Sequence, residues 1–284
     1  MFIPNADETN LKAVTKNSVV TEVYGKLNLL NLTRVLLPNV GMSVKFYLHN
    51  PDFYIIEGFS GSKTTDSMLK IHSASLYVRH VEASSDIMVA HAKMLASNKP
   101  AIYEYKRGEV FTQHIAKGTS NIHINNFYQG RRPSLIVFGM VKNDAYAGDK
   151  TKNPFLIEPF NLRMFSFLIN GSSRPSNGYD VQMDKTHDCV AHLFSKQFEN
   201  LGYHNSMHSN MITKANYKTH FLILEDLTRF NTSLSDVLDP SESVTIGVNA
   251  TLSAVLDSAI TCILYVLLPT RFEISATGQV QSIY

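Results

Sequence analysis

Histidines are the residues of this chain best suited to metal chemistry, and two groups of them have suggestive spacing. His204 and His208 stand four positions apart, which would place both imidazoles on one face of a helix, but no glutamate follows where a zinc hydrolase needs its general base. His187, Cys189 and His192 form a second possible cluster, although Cys189 belongs to the apolar side of a predicted helix. We therefore expect a solvated polar loop at the first group and a buried cysteine at the second.

Motifs for nucleophilic or nucleotide chemistry are incomplete. Residues 58–62, Gly-Phe-Ser-Gly-Ser, only approximate the Gly-x-Ser-x-Gly elbow, and no helix follows them. No glycine-rich stretch continues into Lys-Ser/Thr or into a βαβ pattern. Arg131 and Arg132, between Gly130 and Pro133, could meet a phosphate or an acidic partner, but a solvated turn before a core strand is favoured. We predict no enzyme activity and no catalytic, cofactor-binding or metal-binding residue.

Composition narrows the class of protein. The chain has 284 residues, of which 44% are hydrophobic and 18% charged, as in ordinary globular domains. The 26 basic and 24 acidic side chains are spread along the chain, which argues against a specific nucleic-acid partner. No feature indicates a small-molecule substrate. A packed structural or binding protein is the class that remains.

Targeting signals and cysteine usage predict an intracellular protein that does not span a membrane. Cys189 and Cys262 are too few for a disulfide framework, and the first residues lack the basic and apolar regions of a secretory signal. The longest apolar run, Ala259 to Leu268, has about half the length needed to cross a bilayer. It is interpreted as a buried strand.

Alternation of apolar and polar side chains predicts strands along most of the chain. The clearest case runs from Val244 to Leu252, where every second residue is apolar. Continuous apolar runs indicate strands that are covered on both faces. The other alternating segments are 44–48, 74–78, 122–124, 165–169 and 272–274, and the continuous runs are 135–141, 221–224 and 260–268. About ten strands are expected, separated by turns such as Asn170-Gly171 and Asn177-Gly178.

Two stretches have helical spacing instead. Ser85 is a predicted N-cap, and Thr186 is a second, with Gly202 as the stop of the second helix. The inward faces would hold Ile87, Ala90, His91, Met94 and Leu95 in the first helix, and Cys189, Val190, Leu193, Phe194 and Phe198 in the second. The main internal boundary is predicted at residues 95–100, where the first helix ends. A mostly antiparallel β-sandwich with short inserted helices follows.

Several segments resemble the blocks of one known family, in order and with matching spacing. Residues 70–81, followed by Ala90-His91-Ala92, resemble the block "ASLFVRKV…AHA". Residues 136–145, followed by 153–155 and 160–162, resemble "IVIGFVDNDAFNG…NPFNFKHFNL". Further matches lie at 168–171, 193–194, 212–213 with Tyr217, and 259–265 with Ile274. From about Tyr24 onward the chain is similar to the double jelly-roll major capsid (hexon) protein of Polinton or Maverick transposons and adintoviruses.

The resemblance implies an all-β, jelly-roll architecture. Residues 1–97 would hold a partial first roll, with its late strands in 24–58, and a helical linker, and residues 98–284 would hold the second roll. Members of this family usually carry a longer N-terminal stretch with the early strands of the first roll. A separately encoded N-terminal half is therefore a possible partner.

The resemblance also implies a structural role. Three copies would form a capsomer, and capsomers would contact one another and a penton protein in the icosahedral shell of a virus or virus-like transposon. The location would be the virion capsid, and otherwise the host nucleus or cytoplasm. Two alternatives stay open: a domesticated or degenerate transposon-derived jelly roll that acts as a binding module, and an enzyme on a cupin-like barrel, which would need converging histidines and a glutamate.

Overall fold

A computed structural model describes residues 34–38, 40–56, 69–182, 190–201, 213–214, 216–229, 232–234 and 242–283. Two helices, α1 (Pro51–Tyr54) and α2 (Ser85–Ala96), precede the first strand. Two more, α3 (Asn143–Ala147) and α4 (Ala191–Asn200), and a short 3₁₀ turn (Asn216–Lys218) lie between strands. The strands are β1 (Ala101–Ile115), β2 (Asn121–Arg131), β3 (Leu135–Lys142), β4 (Leu162–Ile169), β5 (Ser172–Asp180), β6 (Ile223–Asp226), β7 (Ser243–Leu252), β8 (Ile260–Ile274) and β9 (Val280–Ile283).

The strands form two antiparallel sheets with nested pairing. The first sheet has the order β1-β8-β3-β6, with β9 beside the end of β8, and the second has the order β2-β7-β4-β5. β1 pairs with β8, β2 with β7, β3 with β6 and β4 with β5, as in one long hairpin wound into a roll. Pairing of β3 with β8 joins the strand pairs of the first sheet, and pairing of β4 with β7 joins those of the second. This is the eight-stranded jelly roll, so the predicted fold class is confirmed for residues 101 onward.

The core lies between the two sheets, and the alternation of β7 shows how it is filled. Val244, Ile246, Val248, Ala250 and Leu252 are all buried, as the pattern predicts. Aromatic rings from both sheets meet them, with the centroids of the Phe138 and Phe165 rings 4.9 Å apart. Each buried valine, isoleucine, leucine or phenylalanine of this core stabilises the fold by about 1.5–3 kcal/mol.

The connections differ between the two ends of the roll. A two-residue turn joins β4 to β5, with φ of +50° at Asn170 and +80° at Gly171, which confirms the predicted turn. A short turn also joins β2 to β3 at the same end, whereas the connections that contain α3 and α4 lie at the other end. The connections that contain helices thus lie at one end of the sandwich, and the long β6–β7 connection lies at the other, beside the β2–β3 turn.

Other predictions need correction. Residues 44–48 and 74–78 form no strand, since no neighbouring strand pairs with them within the described part of the chain. The helix predicted from Ser85 is present, with Ser84 as its N-cap, but no residue of its expected inward face is buried. Gly130 lies inside β2 and not in a turn, and Asn177-Gly178 lies inside β5, where the pairing with β4 is irregular. Residues 272–274 continue β8 and are not a separate strand.

Candidate assembly surface

Large apolar side chains are exposed along the residues that precede β1. We call the described residues 40–56 and 69–96 the N-terminal segment. Tyr47 and Tyr77 are 89% and 83% exposed, and α2 has no buried residue. The other exposed apolar side chains of the segment are Met42, Phe46, Leu48, Ile56, Leu69, Ile71, Leu76, Val78, Val81, Ile87, Met88, Val89 and Met94. A monomeric soluble protein rarely leaves so much contiguous apolar area in water, so this segment is a candidate contact surface.

One anchor holds the start of the segment against the roll. The rings of Tyr103 and Phe272 stack with their centroids 5.0 Å apart, and both are buried. The hydroxyl of Tyr103 donates to the carbonyl of Val35 (3.2 Å) and accepts from the N–H of Leu37 (3.1 Å). Val40 packs against the same cluster. Residues 35–37 and Val40 are therefore fixed where β1 begins and β8 ends.

A second anchor lies at the opposite end of the roll. α1 packs there on the connection between β3 and β4, with an ion pair of 3.6 Å between Asp52 and Lys150. The rings of Phe53 and Phe155 meet edge to face at 5.8 Å. Gly148 has a φ of +102°, and a Cβ there would lie 3.3 Å from the Cβ of Asp52, so glycine allows the close approach. The chain between the two anchors crosses the length of the roll with its side chains in water.

The outer edge of β6 is closed by α4. The amide of Gln197 donates to the carbonyl of Leu222 and that of Asn200 to the carbonyl of Leu224, both at 2.7 Å. Both amide side chains are buried. These contacts satisfy strand carbonyls that would otherwise be open to a further strand.

A charged network fastens the same helix to the sheet. The carboxylate of Glu225, which is buried, accepts from the ammonium of Lys196 (2.6 Å) and from the hydroxyl of Tyr179 (2.9 Å). The guanidinium of Arg174 lies 3.8 Å from the other carboxylate oxygen. Burial, followed by the charge of Glu225, raises the pKa of Tyr179 well above its ordinary value. This arrangement holds a neutral phenol between two charges and is structural.

The histidine and cysteine candidates form no described site. His187, Cys189, His204 and His208 lie outside the described residues, as do residues 58–62. The ring of His192 is exposed and contacts Tyr179. No group of three or more His, Cys, Asp or Glu side chains comes together elsewhere in the described ranges.

The doubled arginine takes part in the fold. The guanidinium of Arg132 pairs with Glu242 (2.9 Å) and donates to the carbonyl of Leu227 (2.7 Å), so it ties the β2–β3 turn to the connection between β6 and β7. The backbone carbonyl of Arg131 accepts from the hydroxyl of Tyr128. Arg132 is therefore held by the fold's own acceptors.

A groove of about 210 Å³ on the second sheet offers little chemistry. Ser166, Ser173, Asn177 and Asn249 are among its lining residues, and none of the described residues that line it is ionisable. It contains no nucleophile paired with a base. Along the described chain, no helix is both long and apolar enough to cross a membrane.

Sequence reasoning missed the anchors. The alternation of Tyr103 and Tyr105 could have predicted that a strand begins soon after the boundary at 95–100. The contact between Asp52 and Lys150 had no local signal, because the two residues are far apart in the chain and neither belongs to a motif.

Comparisons with known proteins are sparse. No family model and no curated protein matches the chain. The crystal structure of the mavirus major capsid protein matches with a TM-score of 0.36 and 8% identity, over 65% of this chain and 41% of that one. The cryo-electron-microscopy structure of the Sputnik virophage matches with a TM-score of 0.37 and 9% identity, over 65% and 39% of the two chains. A quasi-atomic model of the PBCV-1 virus capsid matches with a TM-score of 0.37 and 10% identity, over 69% and 54%.

The chain thus spans between 39% and 54% of the length of these three structures. The jelly-roll assignment itself rests on the nested strand pairing of this chain.

Proposed function

We propose that this chain is a structural capsid subunit of a virus or virus-like transposon, which acts by packing against copies of itself in a trimeric capsomer. The observation that carries the proposal is the combination of an eight-stranded jelly roll with an N-terminal segment whose described apolar side chains are exposed. The ordered sequence blocks that resemble the Polinton, Maverick and adintovirus hexon support it. No catalytic residue is needed for this role.

The roll is suited to a structural role because its buried side chains make it rigid. Its buried aromatic and branched side chains fill the space between the sheets, and its buried charges are paired across elements. A rigid sandwich presents the same surface to every neighbour, which closed rotational symmetry requires.

The N-terminal segment is the part we assign to a first roll and its linker. Its alternating apolar side chains at 44–48 and 74–78 have the pattern of strands but no strand beside them in the described structure. We infer that early strands of a first roll, supplied by a separately encoded half, would pair with residues 74–78 and cover Leu76 and Val78. Capsomers with both rolls would then contact each other and a penton protein in the shell.

The first test is the native mass of the purified full chain, measured by size-exclusion chromatography with light scattering. A mass of about three times 31.8 kDa is expected for a capsomer. Replacing Phe46 and Leu48 with serine should reduce that mass, because both side chains are exposed and assigned to the contact. The matched control Val255→Ser, at an exposed position in the β7–β8 connection, should leave the mass unchanged.

A stable monomer at all concentrations would contradict the capsomer role and would favour the binding-module alternative. Co-expression with a protein that supplies the early strands of a first roll tests the inference about the N-terminal segment. Protection of residues 74–78 from hydrogen exchange in that complex is the expected result.

A further inference from the structure

β1 is an open edge of the first sheet. It is 15 residues long, and no strand lies beyond it in the order of that sheet among the described residues. Arg107, Gly108 and Val110, in its middle, are exposed. Strands in globular proteins usually have about five or six residues, and a long exposed edge is a template for another chain.

The other edge of the same sheet is built differently. β6 has four residues, and the amides of Gln197 and Asn200 occupy the carbonyls of Leu222 and Leu224 on its outer side. A further strand would have to displace α4 to reach them. Among the described residues, the sheet is therefore closed at β6, and it is open at β1 beyond the first residues, where the guanidinium of Arg34 donates to the carbonyl of Ile102.

One pair of opposite charges on β1 is arranged symmetrically about its centre, whereas Glu104 and Lys106 have Thr112 and Val110 at the matching positions. Arg107 and Glu109 flank Gly108, which has no side chain. Arg107 and Glu109 already contact each other within one chain, and their side chains are 46% and 26% exposed. Alternate residues of a strand point to the same face, so both charges lie on one side of the sheet.

We propose that a second copy of this chain adds to β1 as an antiparallel strand, about a two-fold axis at Gly108. In this register, Arg107 of each copy lies opposite Glu109 of the other, so two opposite-charge pairs form across the junction. Tyr105 lies opposite Phe111 of the other copy, which gives two aromatic pairs. Such cross-strand pairs stabilise antiparallel sheets, whereas like charges in the same places destabilise them.

Gly108 lies at the centre of this junction. A Cβ at this position would lie 2.4 Å from the hydroxyl oxygen of Tyr265, so the ring of Tyr265 already occupies the space of a side chain. Side chains stand above and below a sheet and not between its strands, so the ring of Tyr265, which covers the sheet at this position, explains the glycine.

This contact is distinct from the three-fold contact of the proposed function and does not rest on it. A two-fold junction is isologous, because each copy contributes the same strand. Within a shell, it would join subunits of neighbouring capsomers.

Two charge-reversal variants, measured alone and mixed with each other, test whether residue 107 of one copy lies opposite residue 109 of the other. In Arg107→Glu, every charge at positions 107 and 109 becomes negative, and in Glu109→Arg every charge there becomes positive. Each variant of the full chain alone should show a dimer dissociation constant at least about tenfold weaker than the wild type in analytical ultracentrifugation. An equimolar mixture should return to within about threefold of the wild type, since opposite charges then meet again across the junction.

A matched control uses the ion pair of Lys142 and Glu158 at the opposite end of the roll, whose nitrogen and oxygen lie 3.7 Å apart. Lys142→Glu and Glu158→Lys carry the same changes in net charge. Neither variant, alone or mixed, should change the dissociation constant if the junction lies at β1.

The outcomes separate this inference from the capsomer proposal. A wild-type mass of two chains, with rescue in the mixture, supports the β1 junction and contradicts the three-fold capsomer, and a mass of two or more trimers with rescue supports both. A mass of three chains that the reversals do not change overturns the junction alone. A monomer, or a mixture that associates no better than the single variants, also overturns the junction.

Discussion

Buried polar side chains of the roll each bind a partner that fixes a strand or a connection. The carboxylate of Asp226 accepts from the backbone N–H groups of Thr228 (2.7 Å) and Ser233 (3.0 Å), which shapes the chain after β6. The hydroxyl of Thr261 donates to the side-chain oxygen of Asn143 (2.9 Å) and so joins β8 to α3. At the scale of single residues, these groups contribute stability and orientation.

The thiol of Cys262 is expected to be inert in the folded protein. It is buried in β8, and burial raises its pKa to about 12. Because the thiolate is the reactive form, the reaction with a disulfide reagent at pH 8 should be about a thousandfold slower than for a free cysteine. The measurement uses the Cys189→Ser variant, in which Cys262 is the remaining thiol. Rapid labelling before unfolding in denaturant would show that the prediction is wrong.

The phenol of Tyr217 should make the protein less stable in strong base. Its side chain is buried, its hydroxyl donates to the carbonyl of Leu222 (2.7 Å), and burial raises its pKa. The unfolded chain loses this proton above about pH 10 while the folded chain keeps it, so stability is intact below pH 10 and falls above it, by up to about 1.4 kcal/mol per pH unit.

Tyr217→Phe lacks this contribution. At pH 7 it should be about 1 kcal/mol less stable than the wild type because one hydrogen bond is lost. The difference should shrink between pH 10 and pH 11 in urea denaturation curves. A difference that stays constant with pH would contradict the raised pKa.

Strands and helices show which parts of the fold a sequence can specify. β7 was predictable because its five alternating apolar side chains all face one core. β5, Ser172–Asp180, was not, because its sequence has three serines, a proline and an Asn-Gly pair, and it is held by pairing with β4. At 44–48 and 74–78 the same alternation predicted strands that are not formed, since a strand also needs a neighbour to pair with.

The assembly surface was predictable only in part. Alternation identified the apolar side chains of the N-terminal segment but assigned them to a core, because periodicity does not say which molecule covers a face. The arrangement of Arg107 and Glu109 about Gly108 predicts no contact until β1 is known to be an edge strand of the sheet. That property depends on the order of the strands in the sheet and not on local sequence.

A single substitution tests whether α4 closes the outer edge of β6. Asn200→Leu removes the amide that binds the carbonyl of Leu224 and leaves that buried acceptor unpaired. The free energy of unfolding should fall by about 1–3 kcal/mol. Glu199→Ala, on the exposed side of the same helix, should change it by less than about 0.5 kcal/mol. Chemical denaturation measures both, and equal effects would mean that the amide does not protect the edge.

The whole molecule divides its apolar side chains between a closed core and an open surface. Phe138 and Ile246 are buried between the sheets, whereas Tyr47 and Tyr77 lie in water before β1. Substitutions in these two sets should therefore differ in what they change, stability in the first and association in the second.

Tyr77→Ser tests this division. The side chain is 83% exposed, so the free energy of unfolding should change by less than about 0.5 kcal/mol, while self-association measured by light scattering should weaken. Phe138→Ala, in the core, should instead cost about 3–5 kcal/mol. A loss of more than about 1 kcal/mol in Tyr77→Ser would place this residue in a folded core.

The pairing of β1 with β8 also has a consequence for biosynthesis. Ile115 pairs with Ile260, and Ala101 with Ile274, so the partner of the first strand is made roughly 150 residues later. At about 5–20 residues per second, β1 leaves the ribosome about 10–30 s before β8 exists. During that interval β1 of the nascent chain has no partner strand. Several ribosomes on one messenger RNA place many such unpaired strands close together. Contact between such unpaired strands of neighbouring nascent chains would compete with folding until β8 is made.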